Sequence, residues 1–234
     1  THMLEAREEI VHSVLRWGCR PLQHAQKIGL LDLEVVAAHM IWTNESDFTL
    51  LKQSNVSVVH NPIANMILGS GVCPVQRLRK EEVNIGIGTD GAASNDSQNM
   101  IESLKITPML QKIHHLDPSV MSAKDALKMA TIEGAKALGI SEIVGSIEPG
   151  KKADLVLFDT RRAEWQTLFN PVNNLVYNAD GRSVDTVMVD GQIVVENHKP
   201  LFADEWSLAQ KVQGIGEDML ARTGLSFPPR WPII

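Results

Sequence analysis

Three short apolar runs near the start of the chain each stop at a polar residue with useful chemistry. Val35 to Met40 carries His39, Val56-Ser57-Val58-Val59 ends in His60, and Asn84-Ile85-Gly86-Ile87-Gly88-Thr89 ends in Asp90. Apolar runs of this length bounded by turn residues read as buried strands. The stretches between them carry helical signals instead. Asn44 or Thr43 can cap a helix bearing Phe48, Leu50 and Leu51, and Pro74 opens another. Ahead of them, Leu4 to Ile10 runs into an amphipathic pattern with Ile10, Val14 and Leu15 on one face, closed by Gly18; Pro21 opens a shorter helix that stops near Gly29. Strand and helix in alternation predict parallel βαβ units. In such folds ligands bind at the carboxyl ends of the strands, where His39, His60 and Asp90 fall.

After Asp90 the pattern changes. Residues 92–97 read as a loop, followed by a helix from Met100 to His115, a second capped by Ser122, and a helical stretch from Thr131 towards Gly139. From Gly145 the composition turns strand-like. Ala153 to Asp159 forms one strand, and Val184 to Val189 and Ile193 to Val195 flank Asp190-Gly191, a hairpin turn signal. A last helix spans about Asp204 to Arg222 ahead of a proline-bearing tail.

Composition removes some function classes. The 234 residues carry a net charge of −6 with no Lys/Arg cluster, which argues against a nucleic-acid or anionic-membrane surface. No apolar run is long enough to span a bilayer, and the first residues carry no secretory signal, so a cytoplasmic location is expected. Cys19 and Cys73 form no spaced pair and are expected as free thiols.

The polar signals in order are His2-x-x-Glu5, Ala38-His39, His60-Asn61-Pro62-x-x-Asn65, Gly88-Thr89-Asp90-Gly91-Ala92-Ala93-Ser94-Asn95, and Glu148-Pro149-Gly150-Lys151-Lys152-Ala153-Asp154-Leu155-Val156. Each is weak alone. As an ordered set they resemble the amidohydrolase superfamily of metal-dependent hydrolases, with the strongest likeness to its 5-methylthioadenosine/S-adenosylhomocysteine deaminase group. The resemblance covers essentially the whole chain. It implies the C-terminal half of a (β/α)8 barrel plus part of a small β-sandwich: residues 1–144 as the barrel portion, 145–200 as the sandwich portion, and 201–234 as a helix and tail packing on the barrel.

The resemblance also implies roles. His2 matches the metal-ligand histidine after barrel strand five, and Glu5 the acid/base three residues on. His39 matches the strand-six histidine beside the metal-bound water and the substrate; Asp90 matches the strand-eight aspartate, a metal ligand and proton acceptor. Metal ligands are therefore expected at His2 and Asp90, catalytic groups at Glu5, His39 and Asp90, and substrate contacts at Glu5 and His39. The implied cofactor is a divalent metal, zinc first and iron second. A bound metal of this kind lowers the pKa of water to about 7, and imidazole with carboxylate suits zinc. The implied reaction is hydrolytic deamination of an amino-substituted heteroaromatic ring, with an adenosine-derived thioether nucleoside as the favoured small-molecule substrate. Triazine- and guanine-type amidohydrolases share much of the pattern.

One departure is large. The family's first metal ligands form a His-x-His motif, and none occurs in this sequence. A non-catalytic fragment, or a subunit whose site is completed by a missing N-terminal half or in a homo-oligomer, is the reading of a different class. Simpler roles also compete at individual residues. Glu5 could serve as a helix N-terminal carboxylate, His60 could brace the turn before Pro62, and Ser94 and Asn95 could shape a loop. His12, His24, His114 and His115 read as surface or packing residues.

Overall fold

A computed structural model describes residues 1–227. Strand β1 (His2–Met3) leads into helix α1 (Arg7–Trp17), whose first turn is closed by Glu9. The Glu9 carboxylate accepts the backbone N–H groups of Leu4, Glu5 and Ala6 at 2.8, 2.7 and 2.9 Å. Gly18 ends the helix at φ +69°, a conformation glycine adopts without steric cost. Helix α2 (Pro21–Lys27) starts on proline, whose missing N–H costs nothing in a first turn. Strand β2 (Val35–His39), helix α3 (Glu45–Lys52) and strand β3 (Val56–His60) follow, then helices α4 (Pro62–Ile67) and α5 (Val75–Lys80) and strand β4 (Ile85–Ile87). Asn44 caps α3 by accepting the Asp47 N–H, while the Asp47 carboxylate accepts the Asn44 N–H at 2.9 Å.

The four strands form one parallel sheet in the order β1-β2-β3-β4. Met3 pairs with His39, Val59 with Gly86, and His60 with Ile87, so the carboxyl ends lie side by side. Strictly sequential order is that of a (β/α) barrel wall; a doubly wound sheet reverses at a switch point. The core lies between sheet and helices, with Leu4, Leu22, Met40, Leu51, Val58 and Ile85 nearly inaccessible.

Beyond β4 come a four-residue helix α6 (Ala92–Asn95), inside the stretch expected as loop, and helices α7 (Met100–His115), α8 (Ala123–Ala130) and α9 (Ile132–Ala137). Ser122 caps α8 by accepting the Asp125 N–H at 3.2 Å. At Gly86 a Cβ would lie 3.2 Å from the Gly134 Cα, so β4 and α9 touch backbone to backbone.

The second sheet is antiparallel: β5 (Leu155–Phe158), β6 (Val184–Val189), β7 (Gln192–Glu196) and β8 (Lys199–Pro200). Asp190-Gly191 turns β6 into β7. Between β5 and β6 a short helix α10 (Pro171–Asn173) runs into a wide turn at Asn174–Asn178. Val176 there is fully buried in the main core, with Val172, Leu175 and Tyr177 packed against it. Residues 172–177 therefore pack with the core of the parallel sheet. Both cysteines are buried and unpaired, and burial pushes the Cys73 thiol well above its usual range.

Two expectations are corrected. On α1, Ile10 is half-buried, but Val14 and Leu15 are 46% and 80% exposed, so the stripe lacks a covering element among the described residues. The last helix, α11 (Glu205–Thr223), buries no residue, whereas packing on the barrel was expected for 201–234. Its Trp206, Val212, Ile215 and Met219 are exposed, with no covering element among the described residues. The end of the tail, 228–234, lies outside the described residues.

Candidate metal centre

The barrel strands deliver their polar ends to one place. His2 comes from β1, Glu5 from the turn after it, His39 from the last position of β2, and Asp90 from three residues beyond β4. His2 Nε2 stands 3.4 Å from Asp90 Oδ1, and His39 Nε2 stands 3.5 Å from Glu5 Oε2 and 3.9 Å from Asp90 Oδ2. The His2 and His39 rings stack with centroids 5.3 Å apart. His39 is fully buried, and the side chains of Asp90 and Glu5 are 9% and 24% exposed; His2, at 67%, forms the open side.

The backbone is bent to make this possible. Leu4, His39, Met40 and Asp90 all have positive φ, at 54°, 75°, 50° and 61°. Left-handed non-glycine residues cost on the order of 1 kcal/mol or more and concentrate at functional sites. Neighbouring hydrogen bonds hold them: the Met40 N–H donates to Met3 O and the Ile41 N–H to Leu4 O, both at 3.0 Å. The β1–β2 ladder thus continues past the strands and fixes the turns that aim Glu5 and His39.

Glu5 is free for chemistry because Glu9, not Glu5, caps the helix. Its one side-chain hydrogen bond is long, from the Ser70 hydroxyl to Oε1 at 3.5 Å. Around Asp90, the Gln98 amide donates to the Asp90 carbonyl at 3.1 Å, and the Asn95 amide donates to the Thr89 carbonyl, so Asn95 shapes the loop. His60 lies fully buried beside the site with neither ring nitrogen hydrogen-bonded. Burial, with His39 adding to it, pulls its pKa down to about 3, and the ring is neutral. His60 does not join the metal-donor group. His24 stacks on Trp17, and His114 packs edge-on to His115, as packing residues do.

The donor set suits a divalent metal. His2, His39 and Asp90 each offer one ligand atom, all within 4.8 Å of one another. Ligands at about 2.0–2.2 Å from one zinc lie within about 4.4 Å of each other, so a small side-chain movement closes the set. His39 Nε2 is a buried polar atom without a hydrogen-bond partner, facing two carboxylates. Lone-pair donors that converge this closely, with His39 fully buried among them, suit a cation held between them.

A parallel wall of sequential strand order thus carries imidazole and carboxylate donors at its carboxyl ends. The model of the amidohydrolase family matches residues 1–194, and this chain belongs to that family. It is 40% identical to a 5'-deoxyadenosine deaminase of Methanobrevibacter smithii over 93% of its own length and 50% of that protein. It is 38% identical to a 5-methylthioadenosine/S-adenosylhomocysteine deaminase of Acetivibrio thermocellus over 94% of its length and 51% of the relative. Among solved structures, a zinc-bound adenosine deaminase from Xanthomonas campestris superposes with a TM-score of 0.90 at 33% identity, covering 94% of this chain and 50% of that one. The chain spans about half the length of the relatives it matches.

Two residues near the site had no role in the sequence reading. Ser70 carries no motif signal. Asn65 stands in the quoted His60-Asn61-Pro62-x-x-Asn65 spacing, which was the available clue. No helix among the described residues is long and apolar enough to cross a membrane.

Proposed function

We propose that this chain is the second half of a (β/α)8 barrel with part of a small β-sandwich, and that the protein catalyses metal-dependent hydrolytic deamination of an adenosine-derived nucleoside, a 5'-thioether or 5'-deoxy compound. The observation that carries the reading is the convergence of His2, His39 and Asp90, with Glu5 Oε2 3.5 Å from His39 Nε2. The deaminase names of the most similar relatives supply the substrate class.

In the reaction, water adds its oxygen to the ring carbon bearing the amino group, the C–N bond breaks, and ammonia leaves with the ring carrying an oxo group. His2, Asp90 and His39 would hold the metal, zinc on this donor chemistry, which supplies a Lewis acid and a water acidic enough to ionise near neutral pH. Glu5 is placed to carry a proton on Oε2 to a ring nitrogen, because it is partly buried and not committed to the helix terminus. Asp90 Oδ2, 3.9 Å from His39 Nε2, takes one proton of the water and passes it to the departing amine, and the proton left on the added oxygen returns to Glu5 as the oxo group forms.

The remaining donors of a complete site belong, on this reading, to polypeptide that packs against the open edge of the wall. Among the described residues β1 and β4 have one strand neighbour each. The outer face of α1 presents Leu15 and Trp17 on a surface hollow of about 590 Å³ that Pro21 also lines. A strand with one free edge beside a helix that exposes Leu15 and Trp17 is a joint suited to being covered.

The test is ammonia release by the zinc-supplied protein, as its source makes it, from 5'-methylthioadenosine, S-adenosylhomocysteine and 5'-deoxyadenosine. Conversion of the amino ring to the oxo ring with one ammonia per turnover supports the reading. No ammonia from any of the three refutes it.

A further inference from the structure

We propose that Asn65 is the positioning residue for His39: its side-chain carbonyl accepts the Nδ1 proton and leaves Nε2 as the bare nitrogen presented to Glu5, Asp90 and the metal. The inference rests on the reading of His39 as a site residue and adds the group that sets which nitrogen acts.

His39 Nδ1 and Asn65 Oδ1 are 2.8 Å apart, in full burial. A neutral imidazole carries its proton on one nitrogen only, and the hydrogen bond at the other end decides which. With Nδ1–H given to a carbonyl, Nε2 keeps its lone pair, and Nε2 is the atom 3.5 Å from Glu5 Oε2 and 3.9 Å from Asp90 Oδ2. A ring protonated the other way would offer a proton to the carboxylates and no lone pair to a metal or a water. Histidines at metal sites are generally fixed in this manner by an outer acceptor.

Local structure delivers Asn65 to that position. Pro62 sets the start of α4 directly after β3, and Asn65 falls on the first turn, beside the end of the neighbouring strand β2. Its backbone is held at both groups: the N–H donates to Asn61 O at 3.0 Å, and the carbonyl accepts the Ser70 N–H at 2.9 Å. Packing alone does not explain an amide here. Asn65 is 1% exposed, and its Nδ2 has no partner, a burial cost that leucine of similar size would not incur. The residue retains its amide for the one bond it makes.

The ring can be read directly by proton–nitrogen correlation spectroscopy on protein labelled with 15N-histidine, with the His39 signals assigned by their loss in His39→Gln. The expected result is a proton on Nδ1 in the unsubstituted protein and in Asn65→Asp, which keeps an acceptor, and loss of the Nδ1–H correlation in Asn65→Leu. A proton on Nε2 in the unsubstituted protein, loss of the Nδ1 proton in Asn65→Asp, or an unchanged Nδ1 proton in Asn65→Leu overturns the proposal. Should the leucine variant not fold, the other two proteins decide the matter. None of these readings depends on turnover, so a correctly placed proton in a protein that releases no ammonia would refute the deaminase reading alone.

Discussion

His2 and Asp90 belong to opposite edges of the four-stranded wall, yet His2 Nε2 and Asp90 Oδ1 are 3.4 Å apart. Three strand spacings in a flat sheet would separate their backbones by about 14 Å. The wall must curl for these atoms to meet, and the turn at Asp90, at φ +61°, completes the approach. The candidate centre is therefore a product of curvature, drawing on both ends of the sheet.

Asp90→Asn tests the acid donor. The amide keeps the shape and removes the charge that balances a cation. Changing an outer partner of a metal ligand already costs about 10–100-fold in affinity, so this substitution is expected to lower zinc affinity at least about 100-fold and to abolish turnover. Metal content after dialysis and ammonia release are the measurements; full zinc occupancy would contradict the assignment.

Glu5→Gln separates proton transfer from metal binding. Glu5 lies outside the metal-donor group, so zinc content should be unchanged. Loss of a general acid typically costs about 10²–10⁴-fold in rate, and kcat should fall by that amount. Parallel loss of zinc would place Glu5 among the ligands instead.

His60 predicts a pH dependence. Its folded pKa of about 3 lies below the ordinary 6.5, so from pH 6.5 downwards the unfolded chain takes up a proton that the folded protein refuses. Stability from this group is complete above pH 6.5 and is lost as pH falls towards 3, with a limiting slope of about 1.4 kcal/mol per pH unit. Denaturant melts of the unsubstituted protein and His60→Gln between pH 7 and 4 should differ in slope by up to one proton. Equal slopes would mean that His60 is charged in the fold.

Gly88→Ala tests the crowding behind Asp90. An added Cβ would collide with the Asn61 side-chain carbonyl and come within 2.7 Å of Val59 Cγ1. Overpacking of this kind costs about 1–3 kcal/mol, and the loss should appear as a lowered Tm. An unaltered Tm would show that β3 and β4 yield more easily than their packing implies.

Much of the wall was legible because its strands are short and apolar; His39 and His60 could be placed at strand ends without coordinates, whereas the strand read as reaching Asp90 stops at Ile87. The hairpin at Asp190-Gly191 and the caps at Asn44 and Ser122 were equally local. What escaped was non-local. An apolar stripe on α1 or α11 says which face can be buried, not whether anything arrives to bury it. Residues 163–183 have no periodicity, so their return to the barrel core through Val176 left no trace in the pattern. That Glu9 rather than Glu5 closes the start of α1 became visible only in their hydrogen bonds. Asn65 lies 26 positions from the histidine it contacts, and only the pairing of β2 with β3 brings the two together.

The glycine contact between β4 and α9 has a mechanical consequence. Because Gly86 and Gly134 have no side chains, strand and helix rest on each other as bare rails, with no side chain to act as a compressible spacer. How far Asp90 projects is thus gauged from the back of the wall, four residues upstream. A methyl group added at Gly86 would press on the Gly134 backbone and lift the strand, and the carboxylate would travel with it while every residue at the front remained unchanged.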